Sequence, residues 1–161
     1  NQKLGISRLT ATYDWEYSSQ SKPTDTEYWC VRIGGWSCPW NRQLAKERKS
    51  KNLSWIEQPQ TIHEVGSTFT VQGFDLNYVG VIIGPSVKYR NGKIIFDISE
   101  SKNKSAVQNR KLESGEMINY GETLLRNELN VLLTRGVNGL YVYAVDEELQ
   151  SALKKAIGNR K

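Results

Sequence analysis

The sequence predicts an α/β domain, a largely parallel sheet with helices on both faces. Two apolar runs and the order of elements around them carry that prediction. Residues 78–83 (YVGVII) form a continuous apolar run, the pattern of a strand buried on both faces. Residues 140–145 (LYVYAV) form a second. Amphipathic helical stretches lie between and after them, and such alternation marks helices packed on a parallel sheet. At 161 residues the chain is one domain, long enough to bury a core.

In chain order, residues 6–13 (ISRLTATY) read as a strand rich in Thr and β-branched side chains. Residues 16–60 differ in character, holding three of the four prolines and four of the five tryptophans. They read as an insertion within the single domain 1–161. Inside it, 28–33 is a short strand closed by Gly34-Gly35, and 42–51 a short basic helix. Residues 61–65 are a short strand and 67–72 a polar turn or one short helix. Residues 87–98 are a hairpin around Asn91-Gly92, a pair that suits a tight turn with positive φ. Residues 99–113 are polar and read as loop. A long helix is expected over 116–134, with a stripe of Ile118, Leu124, Leu125, Leu129, Leu132 and Leu133, stopped by Gly136 and Gly139. Asp146 caps a last helix through Ile157, with Glu147 and Glu148 in its first turn and Lys154 and Lys155 in its last. In such sheets ligands meet loops at the carboxyl ends of strands, so a site is expected there.

Hydrophobic residues make up 38% of the chain and its mean hydropathy is −0.58, values of a globular protein with polar loops. No apolar run approaches the roughly 20 residues of a membrane span, and no signal-peptide pattern opens the chain. It starts at Asn1 without Met, so it reads as a piece of something longer. Cys30 and Cys38 are too few for a disulfide scaffold, and the one histidine, His63, is far from both in sequence. Free thiols and a cytoplasmic setting are expected, with His63 structural. The net charge of +5 permits a polyanionic partner such as nucleic acid. Positive charge gathers at Arg42, Lys46, Arg48, Lys49 and Lys51, at Lys102, Lys104, Arg110 and Lys111, and at Lys154, Lys155, Arg160 and Lys161. Each group alone is more often a solvated face. Trp29, Trp36, Trp40 and Trp55 either stack unpaired bases or, more commonly, pack the insertion onto the sheet.

Two segments hold the candidate site. In the second, Thr134-Arg135-Gly136 ends a helix just before a strand. A guanidinium there suits a γ-phosphate and the charge that develops on it, although an Arg at a helix carboxyl end also offsets the helix dipole. In the first, Gln72-Gly73-Phe74-Asp75 precedes a strand. Gly73 permits close approach of a ligand to the backbone, and Asp75 can accept from a ribose hydroxyl. Ser67, Thr68 and Thr70 can contact the phosphate backbone of nucleic acid. An ordinary polar turn is the plain alternative.

STFTVQGFDLNYVGVII and VLLTRG resemble motifs V and VI of superfamily 1 helicases, in the right order and separation across residues 61–145. More narrowly, VQGFDLNYVGVIIGP with NVLLTRG is similar to a bacterial family of Schlafen-group helicase-like proteins, often labelled ATP/GTP-binding. The strand ending ATYDW resembles the start of that family's second RecA-like domain. The resemblance implies a RecA-like (P-loop NTPase-type) fold, with Arg135 as the arginine finger and Asp75 in place of the usual ribose-facing Glu. It sets Gln72, Gly73 and Thr134 beside the nucleotide, and Ser67, Thr68 and Thr70 along the nucleic-acid strand, where the family's usual His is Phe69. No G-x-x-x-x-G-K-[ST] and no apolar strand ending Asp-Glu occur in the chain. The resemblance therefore implies half of a composite site for ATP with Mg, completed by an upstream RecA-like domain of the same polypeptide and inactive alone. A binding module of degenerate helicase fold that grips single-stranded DNA or RNA without catalysis is the alternative. No membrane partner is expected.

Overall fold

The computed structural model describes residues 5–46, 48–50 and 52–158. Asn1, Lys51, Arg160 and Lys161 lie outside them. The chain begins with β1 (Ser7–Ala11) and then the insertion, whose regular part is a hairpin of β2 (Cys30–Ile33) and β3 (Trp36–Pro39). Short 3-10 turns over Trp55–Glu57 and Pro59–His63 lead to β4 (Val65–Gly66) and α1 (Thr68–Val71). Next come β5 (Leu76–Ile83) and a hairpin of β6 (Val87–Arg90) and β7 (Lys93–Phe96). After α2 (Lys104–Val107), the pair β8 (Arg110–Lys111) and β9 (Met117–Ile118) precedes α3 (Gly121–Leu133). The chain closes with β10 (Gly136–Ala144) and α4 (Glu147–Gly158).

The two apolar runs become neighbours. The main sheet has four strands in the order β10-β5-β1-β4, and each adjacent pair is parallel. Val79, Val81 and Ile83 of β5 face one way, and Leu125, Leu129 and Leu132 of α3 pack there with Val71 of α1 and Leu149 of α4. Leucines at i, i+4 and i+7 form the stripe that such a surface selects. The opposite face is different. Ala11, Val65 and Ile82 meet Val31 and Trp40 of the insertion.

Helices on both faces were expected; instead, among the described residues, every buried apolar helix residue belongs to the first cluster. The stretch between β1 and β4 covers the second face as an aromatic hairpin. Tyr13, Trp15 and Tyr17 gather around the fully buried Trp40, with Tyr13 4.8 Å from it between ring centroids. That cover is partial, because Tyr141 and Tyr143 on the edge strand β10 remain exposed.

Buried polar groups fix the insertion. The carboxylate of Glu64 accepts from Trp55 Nε1 at 2.8 Å, from Leu44 N at 3.2 Å and from Gln43 N. Arg8 is also buried, and its guanidinium donates to Thr61 Oγ1 at 2.8 Å, to Gln58 O at 3.1 Å and to Ile56 O. Of the basic helix expected over 42–51, the described residues form only a 3-10 turn at Arg48–Ser50, and the start of that stretch instead bridges to Glu64. Asn41 and Arg42 adopt φ of 66° and 69°, and the chain turns to present Gln43 N and Leu44 N to Glu64. No helix among the described residues is long and apolar enough to cross a membrane.

Candidate functional site

α3 delivers Arg135. Its last turn ends at Thr134, whose Oγ1 donates to Asn130 O at 2.8 Å. The Arg135 guanidinium folds back over the same helix end, with Nε donating to Val131 O at 3.0 Å. Nη1 reaches Phe74 O at 3.4 Å and Nη2 reaches Thr134 Oγ1 at 3.3 Å, both long bonds. This side chain offsets the carboxyl-end dipole from just beyond the C-cap Thr134, as a cation at a helix carboxyl end does. It also stands 3.8 Å from Asp75 Oδ1, a carboxylate 71% exposed. Gly136 follows because a Cβ there would lie 2.4 Å from the Gly139 carbonyl oxygen, where a bulge opens β10.

Asp75 directly precedes β5 and Arg135 directly precedes β10, and Leu76 N donates to Arg135 O at 2.8 Å. The two segments therefore meet at the amino edge of the parallel sheet, not at the carboxyl edge expected from the general rule for α/β folds. The reason is local. Both residues sit in connections from a preceding helix into a strand, and such connections end on the amino side.

The turn before β5 is held from inside. Ser67 is fully buried, and its Oγ donates to Asn41 Oδ1 at 2.8 Å. Thr70 is buried as well; its Oγ1 donates to Ser67 O at 2.8 Å and accepts from Ser67 N at 2.9 Å. Both hydroxyls thus face protein. Thr68 is half-buried, and Phe69 stands 56% exposed with its ring edge on Tyr13. Gln72 and Gly73 are exposed. Gly73 takes φ of 83°, and a Cβ there would meet nothing within 4 Å. Backbone conformation accounts for this glycine, and the space beside it is open.

Asn41 and Tyr13 were not foreseen in this region. Asn41 lies in the insertion, yet it holds Ser67 and donates from Nδ2 to the Tyr13 hydroxyl at 3.3 Å. Burial, with the charges of Tyr17 and Glu128, pushes the Tyr13 hydroxyl up to about 12. The clustering of aromatics was the only trace of this support in the sequence.

The carboxyl edge holds a buried acidic pair. Asp14 Oδ2 accepts from Ser86 N at 2.9 Å, and Glu128 Oε1 accepts from Tyr13 N at 2.8 Å. Asp14 Oδ1, Ser86 Oγ and Glu128 Oε2 are buried without a hydrogen-bond partner. Burial raises both carboxyls, that of Glu128 to about 7, with the charge of Asp14 adding to the effect. Among the described residues no group of three or more His, Cys, Asp or Glu is arranged to hold a metal. Cys30 and Cys38 are free thiols, raised by burial. His63 lies in a 3-10 turn, and its carbonyl accepts from Cys38 Sγ at 3.4 Å.

The model of the Schlafen group 3 DNA/RNA helicase domain family matches residues 1–146. An uncharacterized protein of Saccharomyces cerevisiae is 36% identical over 154 residues, which cover 95% of this chain and 32% of the yeast protein. The chain thus spans about a third of that relative's length, and similarity of this kind is not confined to bacteria. No solved structure matches the chain.

Proposed function

The chain belongs to the Schlafen group 3 DNA/RNA helicase domain family, and we propose on that premise that it is the carboxy-terminal, RecA-like half of a nucleic-acid-dependent ATPase, working in the cytoplasm. An upstream RecA-like domain of the same polypeptide is its partner, and ATP with Mg sits between the two. The observation that carries this function is the meeting of Asp75 and Arg135, distant in sequence, at the amino ends of adjacent parallel strands.

The side-chain contacts fit one wall of a nucleotide site. When bound, ATP would supply the γ-phosphoryl group, which passes to water as ADP leaves. Arg135 keeps Nε on Val131 O as a pivot, while Nη1 and Nη2 leave their long bonds and turn toward phosphate oxygens. A forked cation placed there stabilises charge that grows in the transition state. Asp75, released from Arg135, accepts from a ribose hydroxyl. Gln72, Gly73 and Thr134 would lie beside the nucleotide, and the space next to Gly73 is open, a Cβ there meeting nothing within 4 Å. Along the nucleic-acid strand, Thr68 and the exposed Phe69 make contact, and Ser67 and Thr70 fix the turn that presents them.

Substitution of Arg135 in a protein that carries both halves tests this function. An arginine finger is worth about three to five orders of magnitude in turnover. Arg135→Ala is expected to lose that much, and Arg135→Lys to recover little, because one ammonium cannot reproduce the fork.

A further inference from the structure

The tryptophans differ in their surroundings, and Trp36, 43% exposed on β3, stands apart from the other four. Trp40 and Trp55 are 0% and 4% exposed and belong to the cores. Trp15 and Trp29 are half-buried and line a cleft of about 630 Å³ together with Lys22, Tyr28 and Arg32. Both indoles are held in place. Trp15 Nε1 donates to Arg32 O at 3.1 Å, and Trp29 Nε1 donates to Ser21 O at 3.1 Å. With their N–H groups engaged, the rings offer a ligand their π surface. The backbone behind them is fixed, since Trp40 N donates to Trp29 O at 3.0 Å and Val31 is fully buried.

The cations beside the rings are available. Lys22 and Arg32 are exposed, and neither forms an ion pair among the described residues. Arg32 donates only from Nη2 to Thr26 Oγ1, at 3.3 Å. The carboxylates of Asp25 and of Glu16, the latter 3.3 Å from Lys102 Nζ, lie on the same lining and can accept from a base N–H such as N3–H of thymine or uracil. Flat π surface, two free cations and nearby acceptors match the parts of one nucleotide: base, phosphate and base edge.

We propose that this cleft binds an unpaired nucleotide of single-stranded nucleic acid, with the base against Trp15 and Trp29 and the phosphate at Lys22 and Arg32. The identity of the ligand rests on the proposed nucleic-acid-dependent function; the shape and chemistry of the cleft do not. Its place in the insertion gives the strand a contact beyond the turn at Thr68.

Fluorescence anisotropy of labelled oligo-dT and oligo-U with the purified chain at low salt tests the cleft. Base stacking on an aromatic ring is worth about 1–3 kcal/mol, so Trp29→Ala is expected to weaken binding by roughly 5- to 150-fold. Trp29→Phe, which retains a ring, should keep most of the affinity. The double variant Lys22→Ala, Arg32→Ala changes only exposed side chains and should flatten the salt dependence by about 0.7 in log–log slope, the value for one phosphate of a single strand. Lys93→Ala, at the tip of the distant hairpin, serves as the charge control. Absence of binding at low salt would overturn the cleft, as would binding unchanged in both the folded Trp29 variants and the Lys22, Arg32 pair. Failure of the ATPase function shows elsewhere: turnover that survives Arg135→Ala leaves the strand-binding result standing.

Discussion

Arg135 shows how one side chain serves the fold and the proposed chemistry. Its Nε bond to Val131 O closes α3, and its two outer nitrogens hold only long bonds. Gly73 beside it answers to backbone geometry. Gly73→Ala places a Cβ in open space but forces φ of 83° on an L residue, which costs about 1 kcal/mol. Chemical denaturation should show that loss, with the native fold retained. Glu128 carries a pH signal. Burial raises its carboxyl from 4.5 to about 7, so between those values the folded protein holds a proton that the unfolded chain has released. Stability contributed by this group is therefore lost as pH rises through that window, up to roughly 3 kcal/mol. Glu128→Gln removes the titration and places a donor where Oε2 has no partner. Its melting temperature should exceed the parent's above neutral pH, and the gap should narrow toward pH 5. Arg135 and Asp75 were legible in the sequence as members of paired motifs. The support of Ser67 by Asn41 was not, because it crosses from the insertion through a residue at positive φ.

Among the elements, α4 and the β6–β7 hairpin were the most legible, because their signals are local. Asn91 and Gly92 take φ of 52° and 78°, as their residue types invite. Asp146 accepts from Leu149 N at 2.9 Å at the start of α4, and it also holds Arg90 through Nη1 at 2.9 Å and Nη2 at 2.7 Å. Those bonds keep its carboxyl low, at about 2. Stability from a depressed carboxyl is present above its unfolded value and is lost as pH falls toward 2. Asp146→Asn is expected to cost about 1–2 kcal/mol at neutral pH, and urea titrations should show the difference shrinking in acid. Elements set by distant partners were not legible. α3 starts at Gly121 rather than 116, because Met117–Ile118 pairs with Arg110–Lys111. The strand expected over 61–65 is a 3-10 turn ending at His63, followed by two residues of β4. There Arg8 and Glu64 draw the chain into shape through side chains far away in sequence.

Over the whole molecule, the parallel sheet followed from two apolar runs, but its covering did not. A buried-looking strand requires something on each face, and the sequence of the strand does not say what. α1, α3 and α4 occupy one face, and the aromatic insertion occupies part of the other. The proposed nucleotide wall lies at the amino edge of the sheet, and the tryptophan cleft lies in the insertion. Two proposed ligand-bearing regions thus share one domain, and the proposed catalysis needs a second. At its centre is the proposed action of Arg135 on phosphate in the transition state. The most direct measurement is single-strand-stimulated ATP turnover by the protein that contains both domains, comparing the parent with an Arg135→Ala variant of matched melting temperature. A fall of at least about a thousandfold is the result predicted for an arginine finger, and turnover within about tenfold of the parent would contradict it.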